Sequence, residues 1–167
     1  MGSTLHWREP PGRDARDFET IVEFGRGRRS GTGFMAYSER SGPGVLMLHP
    51  PPSWADPVLD LARGVHSDGF TVLVPELGVD REGAGLERMA GAADYLVDNW
   101  HPRLGVMGFG AAAELAGQFA AERQCDAVVL CGGQVPDAGS LGAPVLRCPI
   151  GEPVRQEILE FLHYHLS

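Results

Sequence analysis

Hydrophobic positions along the chain form short continuous runs that alternate with longer segments of helical spacing. Continuous apolar runs of about four to eight residues are typical of strands that are buried on both faces of a parallel sheet. We expect five such strands in this chain. They are Val45–His49, Phe70–Val74, Leu104–Met107, Ala127–Cys131 and Pro144–Cys148.

Between these runs, apolar residues recur at the three- and four-residue spacing of one helical face, which predicts amphipathic helices packed on a sheet. In the first such segment, for example, Val58, Ala62 and Val65 share a face. The predicted helices are Pro57–Ser67, Gly85–Asn99, Ala111–Arg123 and Val154–His165.

The N-terminal part has a different pattern. The apolar segments Phe18–Phe24 and Phe34–Ser38 flank the turn GRGRRSGTG, which indicates an antiparallel hairpin. Strands that alternate with helices predict βαβ units, so we expect an α/β fold with a doubly wound, mostly parallel sheet and an N-terminal antiparallel hairpin. Residues 1–17 are predicted to be an irregular lead, and residues 18–167 one domain.

Charge and composition exclude several classes of function. The formal net charge of -8 and the pI near 5.1 argue against binding to nucleic acid or to an anionic membrane. No apolar run is long enough to span a bilayer, and the polar N-terminus lacks the apolar core of a signal peptide, so we expect a cytoplasmic protein. Cys125, Cys131 and Cys148 match no zinc spacing and are interpreted as reduced core thiols. We expect no metal and no cofactor.

The segment Leu104–Gln118, with the sequence LGVMGFGAAAELAGQ, carries the most information about function. An apolar strand meets a tight glycine turn and then an alanine-rich helix. With the flanking segments GFMAYSE, VLMLHPP, ADPVLDLARGVHSDGFTVLVPEL, DAVVLCGG and APVLRCPIGE, it resembles the dienelactone hydrolase family over about 33–151. That family is a branch of the α/β-hydrolases with a Cys-His-Asp triad, so the resemblance implies a minimal α/β-hydrolase fold. The chain is shorter than typical members.

Three departures from the family pattern affect catalytic parts. In the α/β-hydrolases this strand-to-helix turn is the nucleophile elbow, which lifts a serine or cysteine above the helix N-terminus. Gly110 stands at the cysteine position and provides no attacking atom, and Ala112 replaces the closing glycine. His49 is followed by Pro50, Pro51 and Pro52 in the loop that helps to form the oxyanion hole in the family, and proline has no N–H to donate.

The third departure is near the C-terminus. Gly151-Glu152 is followed by Pro153 and the last predicted helix, where the resemblance implies an aspartate and, further on, the catalytic histidine. The segment that would carry both residues is interpreted as deleted. His163 and His165, on the last helix, are interpreted as packing or solvated residues.

Two other assignments of function use the same edge of the sheet. Cys131 and His49 each end a predicted strand and Glu76 closely follows another, so the three could serve as thiol, base and orienting acid. The sequence GFGAAA, which begins at Gly108, satisfies the G-x-G-x-x-A pattern of nucleotide sites. However, the turn comes late in the chain and the next strand ends in Cys131-Gly132-Gly133 instead of an acidic residue, so a simpler carboxylate or phosphate ligand is favoured over a nucleotide.

The interpretation is therefore a non-catalytic relative of dienelactone hydrolase that binds a small-molecule ligand or a protein partner at the former active-site rim. The alternative is a hydrolase of small esters, lactones or thioesters with a non-standard nucleophile such as Cys131. A homo-oligomer is a third hypothesis, since a shortened chain could expose apolar surface. The residues expected at the ligand-binding rim are His49, Pro51, Trp54, Gly110, Ala111 and Cys131.

Overall fold

A seven-stranded sheet forms the centre of the structure, a computed structural model that describes residues 17–39, 42–78, 84–132, 141–148 and 155–167. The strands are β1 (Asp17–Phe24), β2 (Gly31–Ser38), β3 (Gly44–Leu48), β4 (Thr71–Pro75), β5 (Leu104–Phe109), β6 (Ala127–Cys131) and β7 (Val145–Cys148). The helices are α1 (Asp56–Ser67), α2 (Ala84–Asn99), α3 (Ala111–Glu122) and α4 (Arg155–Leu166). A short 3-10 helix, Gly27–Arg29, connects β1 to β2.

The strand order is β1-β2-β4-β3-β5-β6-β7. Strand β2 pairs antiparallel with both β1 and β4, whereas β4, β3, β5, β6 and β7 run parallel to one another. The predicted α/β class, the mostly parallel sheet and the N-terminal antiparallel hairpin are therefore confirmed. The predicted lead lies outside the described residues except for Asp17, which belongs to β1.

The predicted element boundaries were wrong at two informative places. Strand β2 begins at Gly31, three residues before the predicted Phe34, because its glycine-rich start pairs with β1 as far as Phe24. Strand β5 continues past Met107 to Phe109, because its backbone remains paired between β3 and β6. Both extensions contain glycine, which contributes no hydrophobic signal to a sequence pattern.

A hydrophobic core lies on each face of the sheet, between the strands and two helices. On one face, α2 and α3 pack over strand residues such as Leu46 and Val106. On the other face, α1 and α4 pack over Val45 and Met107. Successive strand residues alternate between these two cores, as the pleat requires. Two-sided burial explains why the parallel strands appear in the sequence as continuous apolar runs.

Polar side chains connect α1 to the outermost strand β1. Both carboxylate oxygens of Glu19 accept hydrogen bonds from Arg63, at 2.7 and 3.1 Å. The hydrogen bond to Glu19 raises the pKa of the Arg63 guanidinium, against the opposing effect of partial burial. A second polar pair joins the same two elements: the Nε2 atom of His66 lies 3.0 Å from Asp17 Oδ1. These pairs hold α1 against the end of the sheet.

In the ranges that the structure describes, no helix combines the length and the apolar character needed to cross a lipid bilayer.

We expect Glu19→Ala to lower the free energy of unfolding by about 1–2 kcal/mol, because it leaves a partly buried guanidinium without its bidentate partner. Asp60→Ala is the matched control, since Asp60 contacts the same arginine at 3.2 Å but its side chain is 75% exposed. We expect the control to cost less than about 0.5 kcal/mol. Urea unfolding measures both, and equal losses in the two variants would contradict this account.

Candidate functional site

The carboxyl ends of β3, β5 and β6 meet at one edge of the sheet. His49 follows β3, Gly110 follows β5 and Cys131 ends β6. The register pairs Leu48 with Gly108 and Phe109 with Cys131, and the Gly110 N–H donates to the Cys131 carbonyl at 2.8 Å. The edge at which parallel strands end is where ligand crevices form in open α/β sheets.

Gly110 has the backbone conformation of a sharp strand-to-helix turn. Its φ is 57° and its ψ is -130°, and α3 begins at the next residue. This region of φ and ψ is sparsely populated and favours glycine, and strained turns of this kind present the nucleophile in α/β-hydrolases. Apart from the residues adjacent to it in the chain, a Cβ atom on Gly110 would have one described neighbour within 4 Å, the Pro50 Cγ at 3.7 Å. The turn is therefore formed, and the space above it is open.

Gly108 lets α3 approach β5 closely. A Cβ atom at this position would lie 2.6 Å from the Ala116 Cβ and 2.8 Å from both the Ala112 carbonyl oxygen and the Ala113 Cα. Real Cβ atoms do not tolerate such distances. Ala112, which occupies the position of the family's closing glycine, is 5% exposed and fits within the core that α3 covers. Its methyl group therefore does not prevent the turn from forming.

The loop after β3 has no N–H groups at Pro50, Pro51 and Pro52. The Nδ1 atom of His49 lies 2.8 Å from the Pro50 carbonyl, so this nitrogen carries the proton and donates. The His49 ring also contacts the Phe109 ring, with centroids 6.1 Å apart. Prolines 50–52 therefore contribute no backbone donor to an oxyanion hole.

Ser53 anchors this loop, a role that the sequence did not reveal. It is 3% exposed; its hydroxyl donates to the His49 carbonyl at 3.0 Å and accepts from the Leu77 N–H at 2.9 Å. Trp54, beside it, is half-buried and donates through Nε1 to the Val74 carbonyl at 2.9 Å. The other two residues expected at the rim, Pro51 and Ala111, are exposed. The loop is thus fixed to both β3 and the end of β4.

Cys131, His49 and Glu76 lie at one edge of the sheet without forming a hydrogen-bonded triad. Cys131 is 6% exposed, and burial, with a further contribution from the neighbouring Cys148 side chain, raises the pKa of its thiol. Glu76 is exposed and accepts from the Thr32 hydroxyl at 3.4 Å, on the side of β4 away from β3. Among the described atoms, no hydrogen bond joins any two of the three side chains.

The histidines of α4 have partners at the opposite end of the strands. The His163 Nε2 atom lies 2.6 Å from Asp68 Oδ2, and its ring packs on Phe70 with centroids 4.8 Å apart. The His165 ring contacts Phe161 and Tyr164. The predicted deletion around Gly151-Glu152 and Pro153 lies outside the described residues.

A cavity of about 500 Å³ lies beside the β1–β2 hairpin instead of above Gly110. Glu76 is the one predicted site residue among the described residues that line this cavity. The lining consists of Glu23, Phe24, Gly25, Ser30, Gly31, Thr32, Glu76, Leu77, Gly78 and Arg88. Leu77 lines this cavity and donates its N–H to the Ser53 hydroxyl, so the cavity adjoins the loop after β3.

No group of three metal-ligating side chains is found within the described ranges. For the whole chain, the expected absence of a metal and of a cofactor stays a prediction.

Comparison with solved structures identifies similar folds. A cold-adapted esterase from an Arctic intertidal metagenomic library aligns over 100% of both chains, with a TM-score of 0.73 and 11% sequence identity. The dienelactone hydrolase of Anabaena variabilis aligns over 89% of this chain and 98% of its own, with a TM-score of 0.67 and 16% identity. A dienelactone hydrolase-like promiscuous phosphotriesterase from metagenomic libraries aligns over 89% and 77%, with a TM-score of 0.65 and 17% identity.

The chain has an α/β-hydrolase-like fold. No family model matches the sequence, and no curated protein is found to be a relative. At these identities the structural likeness establishes the fold and not the activity. The expected shortening relative to the dienelactone hydrolase family and the expected loss of its catalytic residues therefore stay predictions.

Gly108→Ala and Gly110→Ala test which constraint contributes more to stability, the close packing of α3 on β5 or the backbone conformation of the turn. We expect Gly108→Ala to cost about 3 kcal/mol or more, because the overlap includes backbone atoms that cannot rotate away. We expect Gly110→Ala to cost about 1–2 kcal/mol, since the space is open and only the backbone conformation is strained. Chemical denaturation measures both, and a larger loss for Gly110→Ala would show that packing of α3 on β5 is not the main constraint.

Proposed function

We propose that this protein is a non-catalytic α/β-hydrolase-like protein that binds a small ligand at the rim formed by His49, Pro51, Trp54, Gly110, Ala111 and Cys131. The observation that carries this proposal is the conformation of Gly110. The chain retains the strained turn that presents a nucleophile in this fold, with φ of 57° and ψ of -130°, at a residue that has no side chain.

The neighbouring loop supports the same proposal. In this fold the second oxyanion donor comes from the loop after β3, where this chain has three consecutive prolines. Loss of one such donor typically lowers the rate by about a hundredfold to a thousandfold. His49 uses Nδ1 to contact the Pro50 carbonyl and has no carboxylate partner among the described residues. The described site therefore lacks a nucleophile at Gly110, an N–H donor at the prolines and a carboxylate that would orient His49.

The surfaces around Gly110 suggest the class of ligand. The half-buried ring of His49, which packs on the buried Phe109, and the exposed Pro51 offer apolar contacts. The Ala113 N–H donates to the Gly110 carbonyl at 3.0 Å, but the N–H groups of Ala111 and Ala112, at the start of α3, have no partner within the helix and favour an oxygen with negative charge. A small molecule with an apolar body and a carboxylate or ester carbonyl matches both properties. The names of the structural neighbours, esterase and dienelactone hydrolase, concern molecules of this kind.

A hydrolase that uses Cys131 is the less favoured function. The thiol would need to ionise to attack a carbonyl, and its burial raises the pKa. Neither His49 nor Glu76 makes a hydrogen bond to it. The proposal of a binding protein therefore agrees better with the contacts of these three side chains.

We expect purified protein to hydrolyse activated aryl esters, thioesters and a dienelactone at no more than the buffer rate, since it lacks a positioned nucleophile. The measurement is spectrophotometric turnover with the wild type, with Cys131→Ala and with an iodoacetamide-treated sample. Turnover that disappears in both treated samples would overturn the proposal and assign the nucleophile to Cys131. Turnover unaffected by either treatment would also contradict it.

We expect Ala111→Trp to prevent ligand binding at the rim, because a large side chain at this exposed position projects beside Gly110. The measurement is a screen of small carboxylates and esters by ¹⁵N NMR, with the indole N–H resonance of Trp54 as the reporter. Ala121→Trp is the matched control, since Ala121 is an exposed alanine near the other end of α3.

Binding that shifts the Trp54 resonance, persists in Ala121→Trp and disappears in Ala111→Trp would support the rim as the ligand site. Binding that persists in Ala111→Trp and disappears in Arg88→Ala would instead assign the ligand to the cavity beside the hairpin. If no small molecule binds, a protein partner or a second copy of the chain becomes the favoured occupant of the rim. Light scattering then distinguishes a homo-oligomer from a monomer.

A further inference from the structure

Two of the three cysteines lie directly opposite each other on neighbouring strands. The parallel register of β6 and β7 pairs Cys131 with Cys148, and the Gly132 N–H donates to the Cys148 carbonyl at 3.0 Å. Both side chains pack in the core beneath α1 and α4, so they project from the same face of the sheet. Their sulfur atoms are therefore neighbours.

The spacing of the two strands suits a covalent bond between these residues. Neighbouring strands lie about 4.7–4.9 Å apart, and disulfides join Cα atoms that are about 4.4–6.8 Å apart. The Cys148 side chain also helps to raise the pKa of the Cys131 thiol, in agreement with two sulfur atoms that are close neighbours. Both are reduced in the structure. Little backbone movement is needed to join them.

We propose that Cys131 and Cys148 form a redox-active pair that a peroxide converts to a disulfide. This pair lies where β6 and β7 end, beside the rim. It shares one residue, Cys131, with the proposed ligand site.

The two thiols have different roles because they differ in exposure. Cys148 is half-buried on the edge strand β7, whereas Cys131 is 6% exposed. The Cys148 thiolate attacks one peroxide oxygen, the O–O bond breaks, and a sulfenic acid and one water are formed after protonation. The Cys131 sulfur then attacks the sulfenic sulfur. The S–S bond forms, the hydroxyl leaves, and the Cys131 proton completes a second water. Two thiols lose two electrons in total, and the peroxide gains them.

Cys125 provides an internal control. It precedes β6, at the opposite edge of the sheet, and its side chain belongs to the core under α2 and α3. Strand β6 rises about 13 Å from Ala127 to Cys131, and Cys125 lies two residues before that strand, so a disulfide cannot join the two cysteines. Burial raises the pKa of Cys125 to about 11. A peroxide should therefore leave this third thiol unchanged.

Formation of the disulfide would have a consequence at the rim. The carbonyl of Cys131 accepts the hydrogen bond from the Gly110 N–H, so the oxidised pair is one hydrogen bond away from the elbow. It also ties the edge strand β7 to β6 with a covalent bond. Closing a loop of this length typically raises Tm by about 5–10 °C for a domain of this size.

The experiment treats the reduced full-length protein with a small excess of hydrogen peroxide, blocks the remaining thiols with N-ethylmaleimide and digests with an endoproteinase that cleaves before aspartate. Cleavage at Asp126 and Asp137 places the three cysteines on separate peptides, 98–125, 126–136 and 137–167. Mass spectrometry is expected to show the second and third peptides joined and two hydrogen atoms lighter, with Cys125 alkylated. Dithiothreitol should reverse the change.

Variants distinguish the pair from oxidation elsewhere. Cys125→Ser is expected to keep both the joined peptides and the rise in Tm, whereas Cys148→Ser should lose both while its circular dichroism remains that of the folded protein. Joined peptides that contain Cys125, bonds between two copies of the chain, or three alkylated thiols after peroxide treatment would each overturn the proposal. None of these readouts depends on whether the rim binds a ligand.

Discussion

The close contact between β5 and α3 is the constraint on which the candidate site depends. At Gly108 the helix lies so near the strand that a single additional carbon would overlap the Ala112 carbonyl and Ala113. The chain must therefore turn from strand to helix within one residue, and that residue, Gly110, takes a φ of 57°. The position of the rim relative to the sheet follows from this packing and not from any side chain that performs chemistry.

In the proposed function, the backbone of an active site is present without its chemistry. The turn is present, whereas the polar side chains at the same edge are engaged in holding the structure together. Ser53 fixes the loop to Leu77, Trp54 binds the Val74 carbonyl, and Glu76 faces Thr32. A hydrolase needs such groups to be aimed at a substrate and at one another. This arrangement supports the proposed binding function over hydrolysis.

The same edge also carries the cysteine pair. Cys131 contributes to three features at once: its side chain fills the core, its sulfur lies beside Cys148, and its carbonyl binds Gly110. Its raised pKa slows every attack that needs its thiolate, but a sulfenic acid on Cys148 would be held directly beside it, and such proximity offsets a small fraction of thiolate. The chemistry that we propose for this edge is therefore centred on two thiols and not on an acyl-transfer triad.

The sequence by itself determined the elements and the fold class, because continuous apolar runs and helical spacing are local properties of the chain. Ala127–Cys131 was predicted with the bounds that the structure has. That the turn after β5 carries no side chain at Gly110 follows directly from the sequence. Only the tertiary structure decided that Glu76 faces β2 and that Cys131 lies opposite Cys148. Those contacts depend on strand order and register between segments distant in sequence, which no local pattern encodes.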